Sequence, residues 1–278
     1  MEEHRMILKD VFGESSDSED DEQLKQQIQS EDPNGDGQSQ LILEKSPSWE
    51  RVSEINGLWI CRDLLSPQQQ SSLLSSIKDE GWFTEVSHNQ AMRFGNLPAW
   101  AIELAKLIRE VVHYIDHDSE FVDITTCCDD KDASFFPSNL FWREPLFDQL
   151  IVNVYQPGEI IAMTVLASDY VQGICAHVDL MRFEDGIAIV SLESSCVMHF
   201  TAVESEDGII GKQSGIDPGL AKIPVHLTPG SLVLMRGEAR YLWKHEINRQ
   251  PGCQTWEGRD IDQKRRTSIT LRKLCPNE

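Results

Sequence analysis

The sequence predicts a mainly β protein with flanking helices, a β-sandwich or barrel behind a helical N-terminal layer. Three observations lead there. Helical periodicity is confined to residues 52–146, short β-branched runs fill 147–278, and residues 1–50 hold too few apolar side chains to fold. In that first stretch "ESSDSEDDEQLKQQIQSEDPNGDGQSQ" has almost nothing to bury. Its ordering entropy would go uncompensated, so an acidic disordered tail is expected. Ser15, Ser16 and Ser18 beside its acids fit acidophilic kinase sites or a plain solubilising tail.

Order is expected from "VSEINGLWICRDLLSP" onward. Ser66 then Pro67 supplies an N-cap and a first helical residue, Leu73, Leu74 and Ile77 share one face, and Gly81 is the stop. A second helix follows Leu97-Pro98, with Trp100, Leu104, Leu107, Ile108 and Val111 at helical spacing. Between them "GWFTEVSHNQAMRFGN" reads as a loop or hairpin carrying Trp82, Phe83, Arg93 and Phe94. From residue 147 the period changes. "QLIVNVY", "GIAIVSLE", "CVMHFTAV", "HLTPGSLVLM" and "RTSITLRKL" are short and bounded by Gly, Pro or Asp, the marks of strands. A long polar loop, "VESEDGIIGKQSGIDPGLAKIP", separates two of them.

The chain has 278 residues and a formal net charge of −21. Residues 1–54 carry 15 acidic and 5 basic side chains, so about half of that charge lies outside the body. An acidic body repels a phosphate backbone unless a basic cleft is arranged locally. Strong non-specific nucleic-acid binding is therefore disfavoured, and a single nucleotide in a pocket is not. Seven scattered cysteines without a CxxC spacing fit a reducing compartment, so a cytoplasmic or nuclear location is expected. No apolar run is long enough to span a membrane, and the charged N-terminus lacks the apolar core of a secretion signal.

His177 and Asp179 in "ICAHVDL" point to one face of a strand, so both can touch one metal ion. Asp inside a strand is unfavourable without a partner. A strand with a polar face nonetheless explains an isolated His-x-Asp. His245 in "ARYLWKHEI" is a candidate third ligand. Two imidazoles and a carboxylate on one side of Fe(II) leave three positions open, as in non-haem oxygenases. In "RRTSITLRK", Arg266, Ser268, Thr270 and Arg272 alternate with Thr267, Ile269 and Leu271. A solvated outer face fits that alternation, and so does a carboxylate pocket, for which an Arg fork is the preferred partner. "QLIVNVYQPG" places Asn153 and Tyr155 on one face before a Pro-Gly turn.

Taken in order, Asn-x-Tyr-x-Pro-Gly, His-x-Asp, a distal His and Arg-x-Ser-x-Thr-x-Arg resemble the AlkB-like Fe(II)/2-oxoglutarate dioxygenases. The resemblance covers roughly residues 55–278, with its specific motifs within 149–274. "RYLWKHEI" and "TSITLRK" are most similar to the eukaryotic branch that includes the tRNA wobble-uridine hydroxylase. It implies one monomeric dioxygenase domain over 51–278, folded as a double-stranded β-helix (jelly roll) with the site in its open mouth. Fe(II) would be held by His177, Asp179 and His245. The distal carboxylate of 2-oxoglutarate would be held by Arg266, helped by Asn153 and Tyr155. Ser268 stands where many members carry Asn, and Arg272 would lie near the chelating end or a ligand carboxylate. The implied chemistry uses O2 to convert 2-oxoglutarate to succinate and CO2 while hydroxylating a substrate C–H bond. On an N-methyl group the product collapses to formaldehyde, so hydroxylation and demethylation share one mechanism.

The implied substrate is a modified nucleobase in RNA or DNA. No RNA-recognition or methyltransferase motif accompanies the domain, so a docking partner would be needed for tRNA. Trp82, Phe83, Arg93 and Phe94 are lid candidates by position and could stack on a flipped base, although Trp82 and Phe83 equally suit a core. A protein side-chain hydroxylase or demethylase is the alternative.

One feature departs from the family pattern. Eighteen residues separate Gly158 from His177, and removing Ile160 to Gln172, "IIAMTVLASDYVQ", restores "NVYQPGEGICAHVDL". These 13 residues read as a translated intron or splice form, as a tolerated loop extension, or as a disabling insertion that displaces His177 and leaves a silent binding protein. Two further clusters read as structural. His113, Asp116 and His117 fall at a helix end without the Glu of a metalloprotease helix, and Cys127-Cys128 are too close for an ordinary pair.

Overall fold

A computed structural model describes residues 41–85, 88–117, 142–156, 174–203, 222–250 and 252–276. The serines of the acidic segment, Cys127-Cys128 and the 160–172 insertion lie outside the described residues, as do the side chains of Asp116 and His117. Regular structure begins earlier than the boundary at residue 50. Leu41 and Leu43 pack against the core, the Ile42 carbonyl accepts from Gln69 Nε2 at 2.6 Å, and strand β1 (Ser48–Arg51) pairs with β2 (Leu58–Arg62). Leu41, Leu43 and Trp49 supply the apolar surface that the residues before them lack.

Helix α1 (Pro67–Asp79) starts on a full capping box. Ser66 Oγ accepts from the Gln69 amide, and Gln69 Oε1 accepts from the Ser66 amide at 2.9 Å. Leu73 and Ile77 are its buried stripe. Helix α2 (Ala99–His117) buries Trp100, Leu104, Leu107, Ile108 and Val111, as its periodicity requires. Between them, among the described residues, the stretch is no hairpin but a loop leading into a single strand, β3 (Gln90–Phe94), which pairs with the distant β4 (Gln149–Tyr155).

Among the described residues β structure continues with β5 (Ile174–His177), β6 (Ile187–Leu192), β7 (Cys196–Ala202), β8 (Ile223–Leu227) and β9 (Leu232–Met235). A short helix α3 (Gly237–Tyr241) then leads into β10 (Trp243–Ile247), the small hairpin β11 (Thr255–Trp256) with β12 (Arg259–Asp260), and β13 (Arg266–Arg272). Two antiparallel sheets result, ordered β1-β2-β9-β6-β13-β4-β3 and β5-β10-β7-β8. This is the jelly roll with flanking helices.

The larger sheet is covered on both faces, which explains unbroken apolar runs such as "IAIV" and "LVLM". Leu150, Val152, Ala188, Val190, Leu232, Leu234, Ile269 and Leu271 face α1 and α2. Ile187, Ile189, Val233 and Met235 face inward, against Met198, Phe200, Val225 and Ile247 of the smaller sheet. Period-two alternation thus gives β13 and β4 one helix-side face and one interior face, and their polar residues, Thr267 excepted, lie on the interior one. Gly57 closes the β1–β2 turn with φ +85°, and a Cβ there would lie 2.1 Å from the Arg236 carbonyl oxygen. That close approach ties the turn to the start of α3 through the Arg236 amide and the Gly57 carbonyl.

Candidate active site

The β5–β10 ladder places His177 directly opposite His245. Asp179 follows two residues later, and the ligand atoms of the three residues lie within 4.8 Å of one another. His245 Nε2 is 3.8 Å from Asp179 Oδ2, and the two imidazole rings are 4.4 Å apart at 50°. A first-row metal about 2 Å from each ligand would hold neighbouring donors roughly 3 Å apart, so a small contraction closes the set. His177 therefore stands in place despite the 13 extra residues before it, contrary to the displaced-ligand account of the insertion.

Hydrogen bonding and burial prepare these groups as ligands. His177 Nδ1–H donates to the Cys175 carbonyl at 2.8 Å, which leaves the Nε2 lone pair available. Burial, only partly offset by Asp179, holds the His245 imidazole down to about 4 and hence neutral at pH 7. Burial works against ionising Asp179. Arg272, then His245, His177 and Arg240 outweigh it and keep the carboxyl below its ordinary range. Arg272 Nη2 lies 2.8 Å from Asp179 Oδ1.

Strand register builds the second half of the site. Across β13 and β4, Arg266 faces Tyr155, Ser268 faces Asn153, and Arg272 faces Gln149. Arg266 is buried, its Nε donates to Ser191 Oγ at 3.1 Å, and its carbon Cζ sits 5.3 Å from the centre of the Tyr155 ring. Burial raises the Tyr155 phenol, with Arg266 pulling the other way. Asn153 Oδ1 accepts from Gln90 Nε2 at 2.7 Å. Ser268 is buried between Asn153 and Ser191.

The four lid candidates divide between two faces of the large sheet. Arg93 lies opposite Leu150 on the helix side, where its guanidinium stacks 4.6 Å over Trp82. Trp82 and Phe83 pack against the helix-side core, and Trp82 lies 6.1 Å from Trp100. These three are therefore not over the metal residues; burial of two large rings beside α2 decides their place. Phe94 is opposite Gln149 on the interior face and is 45 % exposed. The same face of β3 also carries Gln90 and Met92, opposite Asn153 and Ile151.

Several residues escape the sequence motifs. Arg240 of α3 is 1 % exposed and donates to the carbonyls of Asp179 at 2.8 Å, Leu180 at 2.6 Å and Phe183 at 3.2 Å. Asp185 accepts from the Gly237 amide at 2.9 Å, so α3 grips the Asp179–Asp185 loop at both ends. Helix α3 runs straight into the strand bearing His245, and so ties two ligand-bearing segments together. Ser191 and Gln149 are buried interior-face neighbours of β13. At the rim, Leu180 and Met181 are exposed, and the Arg182 guanidinium lies 5.6 Å from the Phe94 ring. A polar residue in an otherwise apolar strand is the only signal that could have pointed to Ser191 or Gln149.

The profile of the 2OG-Fe(II) oxygenase superfamily matches residues 57–272. The chain belongs to that superfamily. Within it, the chain is an AlkB-like oxygenase. It is 30 % identical over 193 residues to the tRNA (carboxymethyluridine(34)-5-O)-methyltransferase alkbh8 of Xenopus tropicalis, covering 69 % of this chain and 25 % of that protein. It is 24 % identical over 234 residues to protein L905 of Acanthamoeba polyphaga mimivirus, covering 84 % and 91 %. It is 26 % identical over 232 residues to an Arabidopsis thaliana protein named alkylated DNA repair protein ALKBH8 homolog, covering 80 % and 60 %. The chain thus spans about a quarter of the Xenopus relative. The solved structure of OsALKBH1 superposes with a TM-score of 0.50 at 11 % identity, over 81 % of this chain and all of that one, and so shares the fold.

The cofactors of the superfamily are Fe(II), 2-oxoglutarate and O2, and the residues present fit them. Two imidazoles and a carboxylate suit Fe(II). Arg266 Nη1 and Nη2 are buried without a hydrogen-bond partner among the described residues, a pair of orphaned donors of the kind a carboxylate satisfies.

Proposed function

We propose that this oxygenase hydroxylates or demethylates a modified nucleobase in RNA or DNA. The observation that carries the reading is the rim beside Asp179, where the half-exposed ring of Phe94 lies against the Arg182 guanidinium and next to exposed Leu180 and Met181. A flat ring with a cation on it suits base stacking plus a phosphate contact. It does so on a chain of net charge −21, where a local cation is needed to offset general repulsion of a polyanion. The names of the Xenopus and Arabidopsis relatives point the same way.

When bound, iron with 2-oxoglutarate and O2 supplies oxidation of a C–H bond, with succinate and CO2 as co-products. The chain's residues do the rest. His177, Asp179 and His245 would hold the metal, with Cys175 orienting one imidazole and Arg272 and Arg240 orienting the carboxylate. Arg266 and Tyr155 would hold the cosubstrate tail, with Asn153 and Ser268 lining the same face. Phe94 and Arg182 would set the target base at the mouth. The chain would act as a monomer in the cytoplasm or nucleus, with a partner to dock a long RNA.

The test is succinate release from 2-oxoglutarate by the Fe(II)-loaded full chain. Modified oligonucleotides, their unmodified counterparts and methylated peptides are compared as stimulants. Stimulation by a modified oligonucleotide that falls at least tenfold in Phe94→Ala supports the reading. Stimulation by peptides alone makes the protein a side-chain oxygenase instead.

A further inference from the structure

Beside Tyr155 stands a second guanidinium, contributed from outside the family motifs. Arg249 follows β10, and its Cζ lies 5.9 Å from the centre of the Tyr155 ring, against 5.3 Å for Arg266. Its Nε donates to Gln263 Oε1 at 3.1 Å and its Nη2 to the Lys264 carbonyl at 3.0 Å. These two contacts fix the plane of the group. Its Nη1 is buried and has no hydrogen-bond partner among the described residues. Together with Nη1 and Nη2 of Arg266, three orphaned donor nitrogens surround one tyrosine ring.

Two neighbouring cations, one buried and one half-buried, repel each other, and among the described residues neither belongs to an ion pair. Burial and the nearby Arg266 both lower the affinity of Arg249 for its proton, which marks the repulsion. Glu193, at the end of β6, is taken by Arg265 and Thr267. Such an arrangement is costly unless an anion sits between the groups. Ser191 and Cys196, the other side chains around Arg266, are neutral and cannot supply it.

We propose that Arg249 is a second binding residue for the distal carboxylate of 2-oxoglutarate, sharing it with Arg266 across Tyr155. This rests on the assignment of Arg266 and Tyr155 to the cosubstrate tail. The pocket then carries two positive charges for one carboxylate, and the tail accounts for more of the cosubstrate affinity than a single arginine could provide.

The experiment measures dissociation constants by calorimetry on the Mn(II)-loaded full chain, for 2-oxoglutarate and for 2-oxobutyrate, which keeps the chelating end but lacks the distal carboxylate. A charge-assisted hydrogen bond corresponds to roughly a tenfold change or more. Arg249→Gln is expected to weaken 2-oxoglutarate by about that factor and to leave 2-oxobutyrate within about twofold, with Arg249→Lys recovering part of the loss. A purely structural anchor would weaken both acids alike, and that result overturns the proposal, as does an Arg249→Gln protein that binds 2-oxoglutarate like the parent. Arg266→Gln is the reference: if it too is silent, the tail pocket itself is misassigned, whereas a loss there with none at Arg249 sinks only the second guanidinium. Should Arg249→Gln fail to fold, Gln263→Ala unfastens Nε while keeping the charge. It is expected to weaken 2-oxoglutarate severalfold and spare 2-oxobutyrate, and equal binding of 2-oxoglutarate by parent and variant refutes the role.

Discussion

Replacing Arg240 by Met keeps much of the side-chain volume and removes the guanidinium that collects three loop carbonyls. Its bonds to the Asp179 and Phe183 carbonyls are buried, and the bond to Leu180 is partly so. An orphaned buried acceptor costs about 1–3 kcal/mol. Two of them, with a lesser contribution from the third, put the loss of stability at about 4 kcal/mol. The loop also positions Asp179, and losing support behind a metal ligand typically costs about 10- to 100-fold in metal affinity. Urea unfolding of the metal-free protein measures the first quantity, and Mn(II) titration at low urea measures the second. A stability loss below about 1 kcal/mol with unchanged Mn(II) affinity would mean that the loop holds its shape without α3, and the clamp reasoning would be wrong. A large stability loss with unchanged affinity would confine Arg240 to scaffolding.

In metal-free protein, His245 folds as a neutral imidazole with its proton affinity lowered from 6.5 to about 4, so the unfolded chain takes up the proton first. The associated stability is complete above pH 6.5 and drains away as the pH falls toward 4, by about 3 kcal/mol in all. Melting curves of parent and His245→Gln protein across that window check it, and parallel curves contradict it. Gly57→Ala should lose more than about 2 kcal/mol, since its Cβ would lie 2.1 Å from a backbone oxygen. Gly95→Ala, with φ +74° but nothing within 4 Å, should lose only about 1 kcal/mol from backbone strain; equal losses in urea would refute the steric account. Arg182→Gln should weaken oligonucleotide binding and reduce its salt dependence by about one counterion, read from affinity at several ionic strengths. Unchanged salt dependence would remove Arg182 from the nucleic-acid face.

Local signals were legible because their physics is local. The Ser66-Pro67 cap, the α2 stripe and the β13 alternation each place a side chain by chain geometry alone, and the structure keeps all three. The candidate metal ligands were readable because His177 and Asp179 are two apart and His245 follows in a familiar order. Phe94 was separable from Arg93 only once β3 was known to be a strand, since adjacent residues point to opposite faces and the loop alternative gives no such division. Trp82 illustrates the same limit, because a large ring near a mouth and a large ring in a core look identical in one dimension.

What the sequence by itself determined is therefore an inventory: the two long helices, most of the core strands, and the candidate residues for iron and a carboxylate. What only the tertiary structure decided is convergence. Arg240 reaches back about 60 residues to the Asp179 loop, Arg249 turns toward Tyr155 from beyond β10, and Ser191 meets Arg266 across a sheet. These contacts join residues distant along the chain, through packing and register, and no local spacing encodes them. The same holds for His177, whose place beside His245 is set by its ladder with β10 and not by its distance along the chain from Tyr155. The pairing of β5 with β10 tolerates extra chain ahead of β5 because lengthening a connection adds little entropy once its ends are held.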